Sequence, residues 1–498
     1  MSKQLLKRLN EIDLQLTILR NIYSVLDWDQ KTIMPKDGIE ARSLQFAEMA
    51  KQLHQVRTSK EVVAIVKALQ KPSVFKTLSA TDKMKVKLHA KELKRFTCLP
   101  TKFVEDFAKA AAESESAWED AREKNDFAIF APHLQKMLDM KLQECKYIDA
   151  KKHPYDVLLD DYQEGLTVQR IKAVFDPLKV ELKSLYAQIK AKKQKAPQIQ
   201  SLSIEKQKQI CEYLQAKILP FPTKTVQAQS VHPFMNSVGP DDVRITTAFR
   251  ESDPFFAITS TAHECGHALY ELQFNQKFKN TILFAASSYT AHESQSRLWE
   301  NHIVKSFKFW RKYFAKIKAE NPQLKDVDAA QFYKALNEVT GSLIRIEGDE
   351  VTYCLHIIIR FELELQLLEK KLTIEKLPQA WNAMYQEYFG EKPKTDAQGV
   401  LQDVHWSSGS FGYFPTYALG TMYASMIFVH LHKIRPQLDE EIADHNFAFI
   451  QTWLRKNIHQ ISAMKTTEPL MKKAIGKDLD PKVYVAYLNT KYGKIYGL

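Results

Sequence analysis

Apolar positions recur every three to four residues along most of the chain, the period of a helix with one buried face. Near the N-terminus Leu5, Leu9, Ile12, Leu16, Leu19 and Ile22 follow it and predict a helix over residues 1–30, broken at Met34-Pro35-Lys36-Asp37-Gly38. A second helix is expected from Glu40 to His54, and residues 59–150 read as stacked helices interrupted at Pro72, Pro100 and Pro132. After a turn at His153-Pro154, further helices are predicted from Val168 to Lys193 and from Ser203 to Leu219, with Pro197 and the lysines before it marking a hinge near 190–200. Helical periodicity returns over 295–318, 328–373 and 417–432.

Two stretches depart from this period. Between Pro222 and Pro254, Ser230-Val231-His232-Pro233-Phe234 and Asp242 to Phe249 alternate polar and apolar residues, which predicts a short β-hairpin or ribbon able to offer an edge to an extended peptide. The second runs from Gly399 to Pro415 and is rich in glycine and aromatics. Only 14 of 498 residues are glycine, less than half the usual share, so glycines gathered here indicate a functional loop. The fold class expected is all-α with a small β ribbon. At this length a single core is exceeded, so one catalytic domain over 1–498 with two lobes is expected.

The net charge of +12 raises nucleic-acid binding as an alternative, but the lysines are scattered over helical segments without aromatic–basic motifs or zinc-finger spacing, so no nucleic-acid partner is expected. Five cysteines, odd in number and widely spaced, suit free thiols in a reducing compartment. Met1 to Arg8 lacks a continuous apolar run, and the apolar segment from Tyr417 to Val429 is too short for a bilayer. A cytoplasmic protein without membrane contact is expected.

The chemistry concentrates in Thr261-Ala262-His263-Glu264-Cys265-Gly266-His267. On a helix, His263 and His267 share one face one turn apart and can reach one cation, while Glu264 beside them can take a proton from water: the HExxH arrangement of zinc hydrolases. Tyr270 and Gln273 stand where a metzincin has glycine and a third histidine, which excludes that class. Glu293, in Ala291-His292-Glu293-Ser294-Gln295-Ser296, lies about thirty residues after His263, a usable return for a third ligand from a later helix.

With these motifs in place, the chain resembles the carboxypeptidase Taq family. The resemblance rests on His232-Pro233-Phe234, on Asp242, Arg244 and Thr246 of a DxRxT pattern, on HExxH, on His292-Glu293-Ser294-Gln295, and on Gly399, Gln402, Asp403, His405 and Trp406 of GxxQDxHW. Leu26-Asp27-Trp28-Asp29-Gln30 with Met34-Pro35 also matches, and the family's IRxxAD segment appears as Ile344-Arg345-Ile346-Glu347-Gly348-Asp349, with glycine replacing alanine. The resemblance implies two helical lobes around a deep cleft, as in angiotensin-converting enzyme, and a homodimer. It also implies a metal-dependent carboxypeptidase removing C-terminal residues from peptides with broad specificity.

On that reading His263, His267 and Glu293 hold Zn2+, with Co2+ or Mn2+ as substitutes, and Glu264 is the general base. His405, Tyr413 and Tyr417 are candidates to stabilise the oxyanion. Recognition of a terminal carboxylate calls for arginine, with Arg345 first, Arg244 second and His232 assisting; for Arg244 a structural pair with Asp242 is an equal reading. Asp349, one turn beyond Arg345, is expected to orient it or a ligand histidine. The competing functions are a helical oligopeptidase cutting internally or releasing dipeptides, and a non-catalytic peptide-binding scaffold, against which the intact Glu264 argues.

Overall fold

The computed structural model describes residues 2–197, 199 and 202–498. Helices dominate, and their cores explain the lobes. One core joins the helices Phe127–Asp149, Val168–Ala191, Tyr353–Leu368, Leu377–Phe389 and Pro481–Tyr496 with the loop around Trp406 and Phe414. A second joins Ile204–Ile218, Pro254–Leu272, Phe307–Glu320 and Ala448–Asn457. A smaller third lies under the N-terminal helix Ser2–Thr32, where Leu9, Ile12 and Leu16 meet Val62, Ile65, Val66, Leu69 and Val86.

The helix Pro415–Ile434 ties the two large cores together. Its first half places Ala418, Leu419 and Met422 in the first core, and its second half places Tyr423, Met426, Ile427 and Leu431 in the other. That is why it reads as apolar on all sides: each buried Leu, Ile or Met contributes roughly 1.5–3 kcal/mol. Among the described residues no helix is long and apolar enough to cross a membrane.

Four expectations from the chain pattern change in the structure. Pro132 does not end a helix; Phe127–Asp149 runs through it, because burial of Phe130, Leu134, Met137 and Leu138 outweighs one missing hydrogen bond. The segment 328–373 is not continuous: helices Ala329–Leu336 and Tyr353–Leu368 are separated by an irregular stretch containing Gly341 at φ 62° and the short 3₁₀ turn Arg345–Glu347. The segment 295–318 is split by a π-helical turn, Leu298–Val304, and restarts at Phe307 with Ser306 as cap. The hinge placed near 190–200 includes Gln198 and Gln200, which lie outside the described residues.

The fourth change concerns the β ribbon. Strands β1 (Thr225–Gln229), β2 (Met235–Gly239) and β3 (Asp242–Thr247) form a sheet in the order β1-β3-β2, with β1 parallel and β2 antiparallel to β3. Ser230 to Phe234, expected as a strand, is the loop between β1 and β2. Pro233 has no N–H for a ladder, and the Thr246 hydroxyl takes the Phe234 N–H instead at 2.9 Å. The sheet seats the HExxH helix through Thr247 Oγ1 to Ser260 Oγ at 2.6 Å and Gln227 Nε2 donating to Thr261 Oγ1 at 3.0 Å.

Candidate active site

A cleft of about 2870 Å³ opens between the lobes, bordered by the N-terminal helix, the Ser230–Phe234 loop with β2, the helix Pro254–Leu272 and the irregular stretch around Arg345. Pro254 begins the HExxH helix, and the Asp253 side chain accepts the Phe256 N–H at 3.2 Å. Ala257, Ile258, Ala262, Cys265, Ala268 and Leu269 are fully buried, leaving His263 and His267 on the cleft face.

Glu293 sits on the helix Tyr289–Arg297, wedged between the HExxH helix and Pro415–Ile434. Two glycines allow this closeness. A Cβ on Gly266 would lie 2.6 Å from the Gln295 carbonyl oxygen and the Ser296 Cα, and one on Gly420 would lie 2.6 Å from the Glu293 Cβ. As a result one donor atom each from His263, His267 and Glu293 fall within 4.8 Å of one another, the only such group of metal-binding side chains among the described residues.

Hydrogen bonds on the far side of each ring decide which nitrogen faces Glu293. His263 Nδ1 donates to Glu300 Oε2 at 2.8 Å, and Glu300 is itself held by Arg297 at 3.0 Å and Lys305 at 2.9 Å. His292 Nε2 donates to Glu271 Oε1 at 2.9 Å, so its Nδ1 accepts from His267 Nδ1 at 2.5 Å. In this assignment both ligand candidates keep an Nε2 lone pair, 3.5 and 3.4 Å from Glu293 Oε2. Burial and His292 push His267 down to about 3, so it stays neutral. Burial would raise Glu293, but His263 and Arg297 hold it well below the carboxylate range. Glu264, buried beside Glu293 and Glu300, is pushed up to about 7. Two imidazole lone pairs and an ionised carboxylate converging on one point are the donor set of a zinc-type ion, so the residues fit a metal.

A second cluster lies along the cleft. Arg345, buried, donates from Nε to Asp403 Oδ1 at 2.7 Å and from Nη1 to Tyr353 Oη at 3.3 Å, while its Nη2 has no partner. Asp403 also accepts from Arg360 Nε at 2.6 Å, and Gln402 Oε1 accepts the Arg345 backbone N–H at 2.7 Å. The Gly399–Pro415 loop thus holds Arg345 in place. His405 Nε2 meets the Tyr417 hydroxyl at 2.9 Å with its Nδ1 buried and unpartnered, and Tyr413 and Tyr417 line the cleft with it. Burial raises both phenols well above their usual range, so both remain donors. His232 faces the cleft from the β1–β2 loop, exposed to its solvent, with Nδ1 on the Pro233 carbonyl at 2.9 Å, and the surrounding cleft walls and the Arg345 charge hold it below the usual histidine range.

Two placements differ from the candidates read in the chain. Arg244 is bound to Asp242 through Nε at 2.8 Å and Nη2 at 2.7 Å, the structural pairing, and stands over Trp28. Asp349 orients neither Arg345 nor a histidine; it accepts the N–H groups of Gly341, Val351 and Thr352 and closes the turn before Tyr353.

Residues 8–492 match the family described as Carboxypeptidase Taq (M32) metallopeptidase. The chain is 35% identical over 478 residues to Carboxypeptidase 1 of Bacillus subtilis, covering 95% of each chain. It is 34% identical over 505 residues to Thermostable carboxypeptidase 1 of Thermus thermophilus, covering 99% of each. The fold matches the crystal structure of an M32 carboxypeptidase from Deinococcus radiodurans R1 with a TM-score of 0.93 at 34% identity, over 99% of this chain and 100% of that one. This chain belongs to the carboxypeptidase Taq family. It is a metal-dependent carboxypeptidase, and the internally cutting oligopeptidase is the disfavoured reading.

Within this carboxypeptidase, several residues that build the site have no role assigned from the sequence: Glu271, His292, Arg297, Glu300, Tyr353 and Arg360. A helical signal existed for three of them. Glu271 is four residues after His267, and Arg297 and Glu300 are four and seven after Glu293, each on the same face. No local pattern marks Tyr353 and Arg360, whose partners come from distant segments.

Proposed function

We propose that this carboxypeptidase is a zinc enzyme in which His263, His267 and Glu293 hold the ion, with cobalt or manganese able to replace it. The reading is carried by the convergence of their ligand atoms within 4.8 Å while each ring's other nitrogen is already occupied. A zinc ion held by three protein ligands supplies Lewis acidity and lowers the pKa of bound water to about 7. Glu264 accepts the proton released by the attacking water and passes it to the leaving amine; burial that brings its carboxyl to about 7 suits both transfers. The hydroxyls of Tyr413 and Tyr417 donate to the oxygen that gains charge, and His405 orients the second of them by donating from Nε2 to the Tyr417 oxygen. Arg345, through its free Nη2, and His232 hold the substrate's terminal carboxylate.

The same proposal takes the enzyme as one catalytic domain of two lobes with a hinge near 190–200. It acts as a cytoplasmic homodimer on peptides, with no nucleic-acid partner. Five free cysteines support a reducing compartment. Exposed Leu14, Ile18, Ile22 and Val25 on the outer side of the N-terminal helix offer an apolar stripe to a second copy.

Glu264→Gln tests the mechanism. Bound zinc, measured by elemental mass spectrometry, is expected to stay at the wild-type level while kcat falls by about 10²–10⁴. Retention of wild-type turnover would contradict the role given to Glu264.

A further inference from the structure

Arg122 is a charged residue of the cleft that the chemistry above leaves unused. It lies in the last turns of the helix Thr101–Lys124, half-buried, on the cleft wall. Its guanidinium carbon stands 5.5 Å from the centre of the Trp118 ring, within cation–π range. Trp118 in turn donates from Nε1 to the Leu401 carbonyl at 2.9 Å, one residue before the Gln402 and Asp403 that hold Arg345. Arg122 is therefore built into the same wall as the carboxylate clamp.

It has no anion of its own. Among the described residues no carboxylate oxygen lies within 4.0 Å of its guanidinium. None of the acidic residues around it reaches it: Glu123 pairs with Lys36 at 3.2 Å, Asp126 caps the next helix through the Ala128 N–H, and Glu119 and Asp120 on its own helix make no ion pair with it. Nor does the neighbouring cluster compensate it. Arg345 and Arg360 share the single carboxylate of Asp403, which leaves one positive charge over. Glu364, the next carboxyl, is taken by Tyr155 at 2.5 Å, Trp406 at 2.8 Å and the Gly412 N–H at 3.0 Å. Arg345 and Arg122 both bear on the imidazole of His232 and oppose its charged form. Arg122, without an ion pair, and Arg345, which shares Asp403 with Arg360, thus both act on His232. A terminal carboxylate satisfies one of them.

We propose that Arg122 is a specificity-determining residue that receives the side-chain carboxylate of a substrate ending in Asp or Glu, while Arg345 takes the terminal carboxylate. The planar fork of arginine binds a carboxylate through two parallel hydrogen bonds, and an arginine already in cation–π contact with a tryptophan loses less freedom in doing so. Within a broad specificity, acidic C-terminal residues are then released faster than their neutral isosteres. The inference rests on the assignment of Arg345 made above.

The test uses zinc-loaded full-length enzyme and three peptides identical except for a final Glu, Gln or Lys. The wild type is expected to show a higher kcat/KM for Glu than for Gln, and Arg122→Gln is expected to lower that ratio by about tenfold, the scale of one charge-assisted contact. Arg122→Glu is expected to reverse the order, favouring Lys over Glu, a gain that damage to the fold does not produce. An equal fall on all three peptides, or a wild type without preference for Glu over Gln, overturns the proposal. Arg345→Gln, measured beside it, is expected to slow all three free acids alike. If it does not, the clamp reading fails, while the ratios at Arg122 still report on the second carboxylate.

Discussion

The proposed ligand histidines are each fixed through the ring nitrogen that faces away from Glu293, one by a carboxylate and one by a second histidine backed by a carboxylate. Removing either support frees the ring to rotate or change tautomer, and such changes typically cost about 10–100-fold in metal affinity. Glu300→Gln and His292→Ala are each expected to weaken zinc binding by about that factor, measured by competition with a chelator; unchanged affinity in both would mean the bonds have no hold on the site. At this scale the sequence was informative where chemistry is local. The shared helix face of His263 and His267 could be read from spacing alone because a helix imposes it. Asp403 appeared in a motif, yet its role depends on Arg345 and Arg360 arriving from other segments. Asp349 had the right spacing from Arg345 but its oxygens are spent on backbone N–H groups, a local competition that spacing does not reveal.

Among the elements, the decisive contact is the one between the HExxH helix, the Glu293 helix and Pro415–Ile434. Backbone atoms lie where the first side-chain carbon of residue 266 would be, so Gly266→Ala forces two helices apart, and Gly420→Ala presses on Glu293 itself. Overpacking of this kind costs about 1–3 kcal/mol, and both variants are expected to lower the denaturant midpoint and the affinity for zinc. Gly493→Ala is the control. It lies inside Pro481–Tyr496 with nothing within 4 Å, so alanine is expected to stabilise by up to about 1 kcal/mol. Equal effects at all three positions would show that close approach is not what the glycines provide. The long amphipathic helices were legible because burial follows the period of the chain. The π-helical turn that carries Glu300 and the irregular stretch that carries Arg345 were read as continuous helix. Both keep helix-like composition, and what bends them is packing around the cleft.

For the whole molecule, the sequence indicated helical lobes, and the resemblance implied the cleft. What neither supplied is how the cleft divides: a floor from the HExxH and Glu293 helices, where the metal is proposed to bind, and a wall that carries Arg345 and Arg122 on separate segments. On the proposed roles exopeptidase action follows from that division, since a substrate anchored at Arg345 by its terminal carboxylate would present its last peptide bond to the floor. The most direct measurement is mass spectrometry of matched peptides, free acid and C-terminal amide, incubated with zinc-loaded wild type and with Arg345→Gln. The wild type is expected to shorten only the free acids, one residue at a time, and Arg345→Gln to lose that turnover while keeping its zinc. Cleavage of the amides at comparable rates, or an Arg345→Gln enzyme that still selects free acids, would contradict the account.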